Sequence, residues 1–315
     1  MNNEKNKPTV SIIIVADYAS GGSKAWEEIK ETVRAVDRQE CDEPKEILLL
    51  ESEQMRDHIP PDVRTLTPSL RIVTAPVSTS YELKNTGVSA AAGDIVVLLD
   101  ADCVPDPGWL SSLIQTMKNH PEISAVSGRT CYPGKAFPEG MLALLVRSYL
   151  DPGHEGRTNY VSNNNAAYRR EVYLRHPLPT QAGPFASRMQ EKAIARAGGK
   201  FYFEPKMRVV HEFEGWGMER DIRHNMGYAT IVTRMQDPSL PYAGFLRLSY
   251  ASIPVFLFGK YLEAVYNCVR CYLFYNVRWY QLPVAFILAG IVLAMEIPGM
   301  LTAFNGQHIT ETAYR

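Results

Sequence analysis

Apolar runs and polar breaks divide the first two-thirds of the chain into short, regularly alternating blocks. Val10 to Val15 (VSIIIV) is an unbroken run rich in β-branched residues, which is how a strand covered on both faces of a mainly parallel sheet reads. From about Lys24 to Gln39 the period becomes helical, with Trp26, Ile29, Val33 and Val36 on one face. Glu46 to Leu50 (EILLL) predicts a second strand, closed by Glu51-Ser52-Glu53, and strand, helix, strand at this spacing is a βαβ crossover. Residues 52 to 69 are polar and contain prolines, so they read as loop or a helix remnant. Arg71 to Ala75 is a third strand, and Tyr81 to Ala92 a helix stopped by Gly93. Ile95 to Leu99 is the central strand. After the tight exit at Pro105, Pro107 and Gly108, Trp109 opens another helix, WLSSLIQTMKNH. The pattern predicts an α/β fold.

From about Pro241 the character changes. Long apolar stretches are interrupted by Lys260, Arg270 and Arg278, and their many Tyr and Trp side chains suit a headgroup interface. Leu282 to Met295 is uncharged, and with Glu296 tolerated the stretch runs to Phe304, long enough to cross a bilayer of about 30 Å. A re-entrant or buried helical hairpin is the alternative. If the segment near 282–304 spans, Arg270 and Arg278 on its N-terminal side hold the preceding domain in the cytoplasm, at the inner membrane. The expected division is a catalytic-type domain over 1–235 and a membrane-associated helical region over 236–315.

Composition adds exclusions. A formal net charge of −1 and a pI near 6.7 give no electrostatic argument for nucleic acid. The five cysteines lack a framework spacing, which suggests reduced thiols. Cys268-Val-Arg-Cys271 resembles a redox or zinc pair, but without a second pair and with apolar flanks it reads as structural. The polar opening MNNEKNKPTV has no apolar core, so no signal peptide is expected.

The chemistry concentrates at the end of the central strand. Asp100-Ala101-Asp102 places two carboxylates at the edge where open α/β sheets bind their ligands, with alternation aiming both the same way. Facing carboxylates in a dry crevice repel unless a cation or proton sits between them, and hard oxygen ligands suit Mg²⁺ or Mn²⁺ bridging a diphosphate. Taken alone, the triplet reads more readily as a solvated loop after a strand.

Its context carries a resemblance. LKNTGVSAAAGDIVVLLDADCVPDPGWL resembles the A-R-N-x-G, A-x-G-[DE], hydrophobic run, D-x-D, P-x-W segment of family 2 glycosyltransferases with the GT-A fold. VSIIIVADY and EILLLESE are similar to that family's first two strands, Asn165-Ala166-Ala167-Tyr168-Arg169-Arg170 to its N-x-A-[FY]-R-R segment, and ARAGGKFYFEPKMRVVHE to its helix end, strand and terminal His. The matches run from about residue 10 to 228. They imply a Rossmann-like mixed sheet flanked by helices and a metal-dependent sugar transfer from a nucleotide-diphosphate donor, with inversion. By position, Asp102 and His211 would ligate Mn²⁺ or Mg²⁺, with the imidazole tilting the choice toward Mn²⁺. Asp100 would face the donor ribose or the metal's water shell. Glu51 resembles the base-binding acid and could accept the imide proton of uracil, favouring a UDP-sugar, the alternative being a solvated strand end. Asp17 and Lys84 fall at donor-side positions.

One departure stands out. Inverting transfer needs a carboxylate to take the acceptor hydroxyl's proton, worth about 10²–10⁴-fold. The positions that resemble the family's acidic pair are Ala186 and Ser187, and neither can act as a base. Ser187-x-x-Gln190 reads as a capping box. Glu191, one helical turn on, is the candidate base; Asp151 and Glu155 are others. Arg147 to Asn165 is a polar segment expected on the acceptor side with Asn165. Trp216 could stack on a sugar there or pack on its own domain, and Arg220, Arg223 and His224 could hold diphosphate oxygens or belong to a solvated helix. Two readings follow: a membrane-attached glycosyltransferase acting on a lipid-linked or saccharide acceptor in envelope polysaccharide or glycolipid synthesis, or a non-catalytic nucleotide-sugar-binding scaffold that keeps the fold.

Overall fold

The computed structural model describes residues 9–16, 23–76, 79–132, 139–180, 185–211 and 215–307, with the backbone alone at 23–25 and 139–140. In chain order the elements are β1 (Val10–Val15), α1 (Ser23–Asp37), β2 (Lys45–Ser52), the one-turn α2 (Pro61–Arg64), β3 (Leu70–Ala75), α3 (Ser80–Ala90), β4 (Ile95–Asp100), β5 (Cys103–Pro105), α4 (Trp109–Asn119), β6 (Ala125–Cys131) and α5 (Glu139–Arg147). They continue with β7 (Gly156–Thr158), β8 (Asn165–Arg169), α6 (Arg170–Arg175), α7 (Ala186–Arg196), β9 (Phe201–His211), α8 (Trp216–Gln236), α9 (Ile253–Cys271), α10 (Leu282–Ala294) and α11 (Ile297–Phe304).

Among the described residues the strands form one nine-stranded mixed sheet in the order β3-β2-β1-β4-β8-β6-β9-β5, with β7 also paired to β9. The first four are parallel, as the βαβ spacing predicts, and β8 runs antiparallel between β4 and β6. The unbroken apolar runs are explained by burial on both faces. Ile12, Ile14, Leu49, Val97 and Leu99 pack under α1 and α4, whereas Ile13, Val15, Leu48, Leu50, Val96 and Leu98 pack under α3 and α7. Each strand therefore contributes alternate side chains to two cores, and a polar residue on either face would lose its water without a partner.

β9 is the element that reaches furthest. It pairs with β6 in parallel, but the register jumps so that Gly128 faces Glu204 and Arg129 faces Arg208. Pro205, which has no N–H to donate, falls in this bulge. Beyond it the strand continues to His211 and pairs antiparallel with the short β5.

The C-terminal helices differ from a simple span. Trp279–Phe304 is the one stretch among the described residues long and apolar enough to cross a membrane. It consists of a short 3-10 turn at Trp279–Gln281 followed by α10 and α11, which are joined at Met295-Glu296. Glu296 is fully buried there, 3.5 Å from Arg223 of α8 and paired with Lys260 of α9. Gly227 of α8 and Gly299 of α11 let the two backbones touch, since an added Cβ would meet Glu296 O at 1.9 Å or His224 O at 1.8 Å. The second half of the apolar stretch is thus clasped to the helix that follows His211, because its one carboxylate needs partners that only α8 and α9 supply.

Candidate active site

The C-terminal edges of β2, β1 and β4 lie in register, with Leu50 opposite Val15 and Val15 opposite Asp100. Asp100 closes β4, and the chain turns at once: Ala101 N–H donates to Val15 O at 3.1 Å, and Cys103 already belongs to β5. The two acids therefore do not share one strand face, as the alternation had implied. They have separate partners. Asp100 Oδ1 is 2.7 Å from Nζ of the buried Lys84. Lys84 is delivered by α3, whose start is fixed by the reciprocal capping box of Thr79 and Glu82.

Asp102 meets His211. The antiparallel register of β5 on β9 sets Cys103 opposite His211, and His211 Nε2 lies 3.0 Å from Asp102 Oδ2. Burial works to raise the Asp102 carboxyl, but the charge and hydrogen bond of His211 prevail and hold it at about 2. Its other oxygen, Oδ1, is enclosed and accepts no hydrogen bond of ordinary geometry among the described residues. Asp102, Cys103 and His211 offer ligand atoms within 4.8 Å of one another. The Cys103 thiol is pushed far up by burial and by both acids, which leaves it a protonated neighbour and the carboxylate and imidazole as the ligand pair.

Other residues close the site. The Tyr132 ring stacks on His211 at 5.6 Å, and the Arg147 guanidinium lies 5.9 Å from the Tyr132 ring centre. Arg147 Nε is buried without a hydrogen-bond partner among the described residues, and its charge acts on Asp102. Asn164 takes the backbone N–H of Asp100 on its carbonyl at 3.3 Å and donates its side-chain amide to Thr130 at 3.2 Å. Cys103 and Tyr132 do not stand out in the sequence, because each arrives by strand register, whereas Arg147 and Asn164 belong to the polar segment expected on the acceptor side and are instead set against Asp102 and Asp100.

Glu51 is buried at the end of β2, one residue beyond the aligned edge. Its carboxyl is pushed up to about 7 by burial, against the pull of the Ser52 N–H that it accepts at 2.7 Å. Asp17 lies outside the described residues.

The acceptor-side expectations come out differently. Asn165 is fully buried and fully engaged: Oδ1 accepts the Trp109 indole N–H at 2.9 Å, and Nδ2 donates to Arg129 O and Met207 O. It ties β8 to β6 and β9 and presents no free atom to a ligand. Trp216 opens α8 and is 45% exposed. Arg223 is buried against Glu219 at 2.6 Å, and Arg220 is exposed. Glu191 is not gathered with Asp102 and His211. Its Oε1 accepts Val161 N–H at 2.6 Å and its Oε2 pairs with Arg188 at 2.7 Å. Ser187, one turn earlier, touches Asn163 at 3.0 Å, next to the strand end. Asp151 is buried in a two-pronged pair with Arg129 (2.6 and 3.2 Å), and Glu155 accepts from Tyr202 OH at 2.9 Å.

With this geometry in place, the chain is similar to known sugar-transfer proteins. The family profile "Glycosyl transferase family 2" matches residues 11–176, more than half of the chain. A glucosyl-dolichyl phosphate glucuronosyltransferase of Haloferax volcanii is 30% identical over 100 residues, 29% of this chain and 31% of the relative. Glycosyltransferase AglE of the same organism is 26% identical over 110 residues, 35% of this chain and 34% of the relative. The chain thus spans about a third of the length of the curated relatives it matches. In fold it is similar to mannosyltransferase PcManGT from Pyrobaculum calidifontis, solved with GDP-Man and Mn²⁺, with a TM-score of 0.63 at 18% identity, over 96% of this chain and 88% of that one. GalNAc-T7, solved with UDP, GalNAc and Mn²⁺, gives 0.52 at 16% identity over 68% and 45%.

Proposed function

The chain belongs to glycosyl transferase family 2 and is a glycosyltransferase with the GT-A fold; from that premise we propose a metal-dependent, inverting transfer of a sugar from a UDP-sugar to a lipid-linked or saccharide acceptor. One observation carries the reading. β9 brings His211 to 3.0 Å from Asp102, beside a buried carboxylate oxygen that accepts no hydrogen bond of ordinary geometry among the described residues and has the weakly donating Cys103 thiol as its neighbour. Such an oxygen is stabilised by a cation, and the oxygen and nitrogen donors together suit Mn²⁺ or Mg²⁺, with Mn²⁺ preferred for its tolerance of imidazole. The mannosyltransferase of the same fold solved with Mn²⁺ supports that choice. When bound, the cation neutralises the departing diphosphate.

The remaining roles belong to side chains. Lys84 fixes Asp100 at the strand end, where it faces the donor ribose or the cation's water shell. Arg147, whose guanidinium bonds Tyr132 while its Nε has no partner among the described residues, would supply positive charge to diphosphate oxygens. Glu51 receives the nucleobase. Since Oε1 already accepts Ser52 N–H, one oxygen is left, which suits the single imide N–H of uracil better than the paired donors of guanine. Glu191, with both oxygens engaged, is assigned a positioning role: it holds Val161 and so the turn that leads to Asn164 beside Asp100.

The catalytic unit is taken as residues 1–235 and the attachment unit as 236–315. The lipid-linked acceptor is favoured by the relative named for a dolichyl phosphate substrate and by the outward apolar faces of α9 and α10, which would rest in the leaflet. Arg270 and Arg278 favour a cytoplasmic catalytic face at the inner membrane. Calorimetry tests the donor site: UDP binds with Mn²⁺ present and loses most of its affinity in EDTA, whereas metal-independent binding would refute it.

A further inference from the structure

We propose that the cavity between α7, α8 and α9 binds the anionic headgroup of a membrane phospholipid, apart from the Asp102–His211 group. The cavity measures about 600 Å³, within the range of small-molecule sites. Its cationic side chains, Arg188, Lys192, Arg196, Arg234 and Lys260, outnumber its carboxylates, Asp237 and Glu263. Three of the cations are already neutralised: Arg188 pairs with Glu191, Lys192 with Asp237 at 2.7 Å, and Lys260 with Glu296. Arg196 and Arg234 have no carboxylate within ion-pair distance among the described residues.

Arg234 is the telling member. It is partly buried, lies 5.2 Å from the Phe256 ring centre, and donates to Thr230 O at 2.7 Å and Pro241 O at 2.9 Å. Burial makes it harder for this guanidinium to keep its charge, and the charge of Glu263, which lines the same cavity without reaching ion-pair distance, offsets that only in part. A half-enclosed cation of this kind is costly until an anion arrives.

The class of anion follows from what lies beside the cavity. Gly259 and Lys260 line it, and the neighbouring face of α9 carries Phe258, Leu262, Tyr266 and Val269 at helical spacing, 64, 52, 63 and 52% exposed, continued by Leu273 in the turn that follows. Val284, Ile287 and Ile291 extend the apolar surface on α10, which packs against α9. A soluble anion would use only the cavity. A phospholipid uses both, with its phosphate against Arg196 and Arg234 and its chains along the ridge.

This inference rests on the membrane attachment proposed above, and one flotation experiment separates the two. The full chain is mixed with neutral phosphatidylcholine vesicles or with mixed phosphatidylcholine–phosphatidylglycerol vesicles. Binding to both, about ten-fold stronger to the anionic ones, is expected from two cations without a direct ion pair, partly offset by Glu263. Arg196→Gln and Arg234→Gln should each reduce that preference, while Arg56→Gln, an exposed arginine elsewhere, should not. Equal binding to both vesicles, or an unchanged preference in both cavity variants, overturns the headgroup site and leaves attachment standing. No flotation with either vesicle overturns both. If inorganic phosphate at matched ionic strength erases the preference, the cavity takes free anions and the phospholipid assignment fails.

Discussion

Lys84 Nζ lies 2.7 Å from Asp100 Oδ1, with the lysine side chain only 4% exposed. The pair joins the middle of α3 to the end of β4, so it fixes the floor of the site by tying a helix to the strand that carries the acids. Removing one partner strands the other charge in a poorly hydrated place. Lys84→Met should therefore cost roughly 3 kcal/mol of stability, and adding Asp100→Asn should recover part of it. Thermal unfolding of the two variants checks this. With Asp100→Asn measured alone as well, a loss in the double variant equal to the sum of the two single losses would show that the pair is not coupled.

Glu51 predicts a pH dependence of stability. Its carboxyl titrates near 7 in the folded chain and in the ordinary range, near 4.5, when unfolded. Between those values the folded state holds a proton that the unfolded state does not, so stability falls as pH rises through about 7. Glu51→Gln should consequently stabilise the protein at pH 8 by roughly 3 kcal/mol and leave it unchanged near pH 4. The same carboxylate must be ionised to accept a base N–H. Uridine binding should weaken as pH drops below about 7 in the wild type and show little pH dependence in Glu51→Gln. Calorimetry across that range measures it.

Glu191 separates a base from a positioning residue. Loss of a general base would cut turnover by about 10²–10⁴-fold and flatten the acid limb of the pH–rate profile. With its oxygens on Val161 and Arg188, Glu191→Gln should instead lower turnover less than about 10-fold and keep the limb. A flattened limb would restore Glu191 as the base.

The helical region has its own test. Gly227→Ala drives a Cβ into the backbone carbonyl of Glu296, which cannot swing aside as a side-chain tip would. Overpacking of this kind costs typically 1–3 kcal/mol. Gly290→Ala, whose nearest neighbour is 3.9 Å away, should be nearly neutral. Melting temperatures in detergent compare the two, and equal shifts would mean that α8 and α11 are not in close contact.

These residues also mark what a sequence can disclose. β1, β2 and β4 are legible within a residue or two, since strands covered on both faces must be continuously apolar, and the half-buried edge strand β3 by its short β-branched run. Lys84, Asp100, Asp102 and His211 are legible through motif, yet their pairing is not: Lys84 to Asp100 depends on how α3 packs, and Asp102 to His211 on the β5–β9 register across more than a hundred residues. Asn165 illustrates the converse, a polar motif residue used up in holding strands together. The bend at Glu296 escapes hydropathy because averaging over a window hides one acid whose partners lie on α8 and α9.

The central claim, that Asp102 and His211 hold a divalent cation against a nucleoside diphosphate, is tested most directly by UDP release. Membranes bearing the full chain are given UDP-sugars and acceptor lipid with Mn²⁺. Release should depend on Mn²⁺, vanish in Asp102→Ala and fall at least about 100-fold in His211→Ala, with both variants still folded. Release that persists in EDTA, or in folded Asp102→Ala, would contradict it.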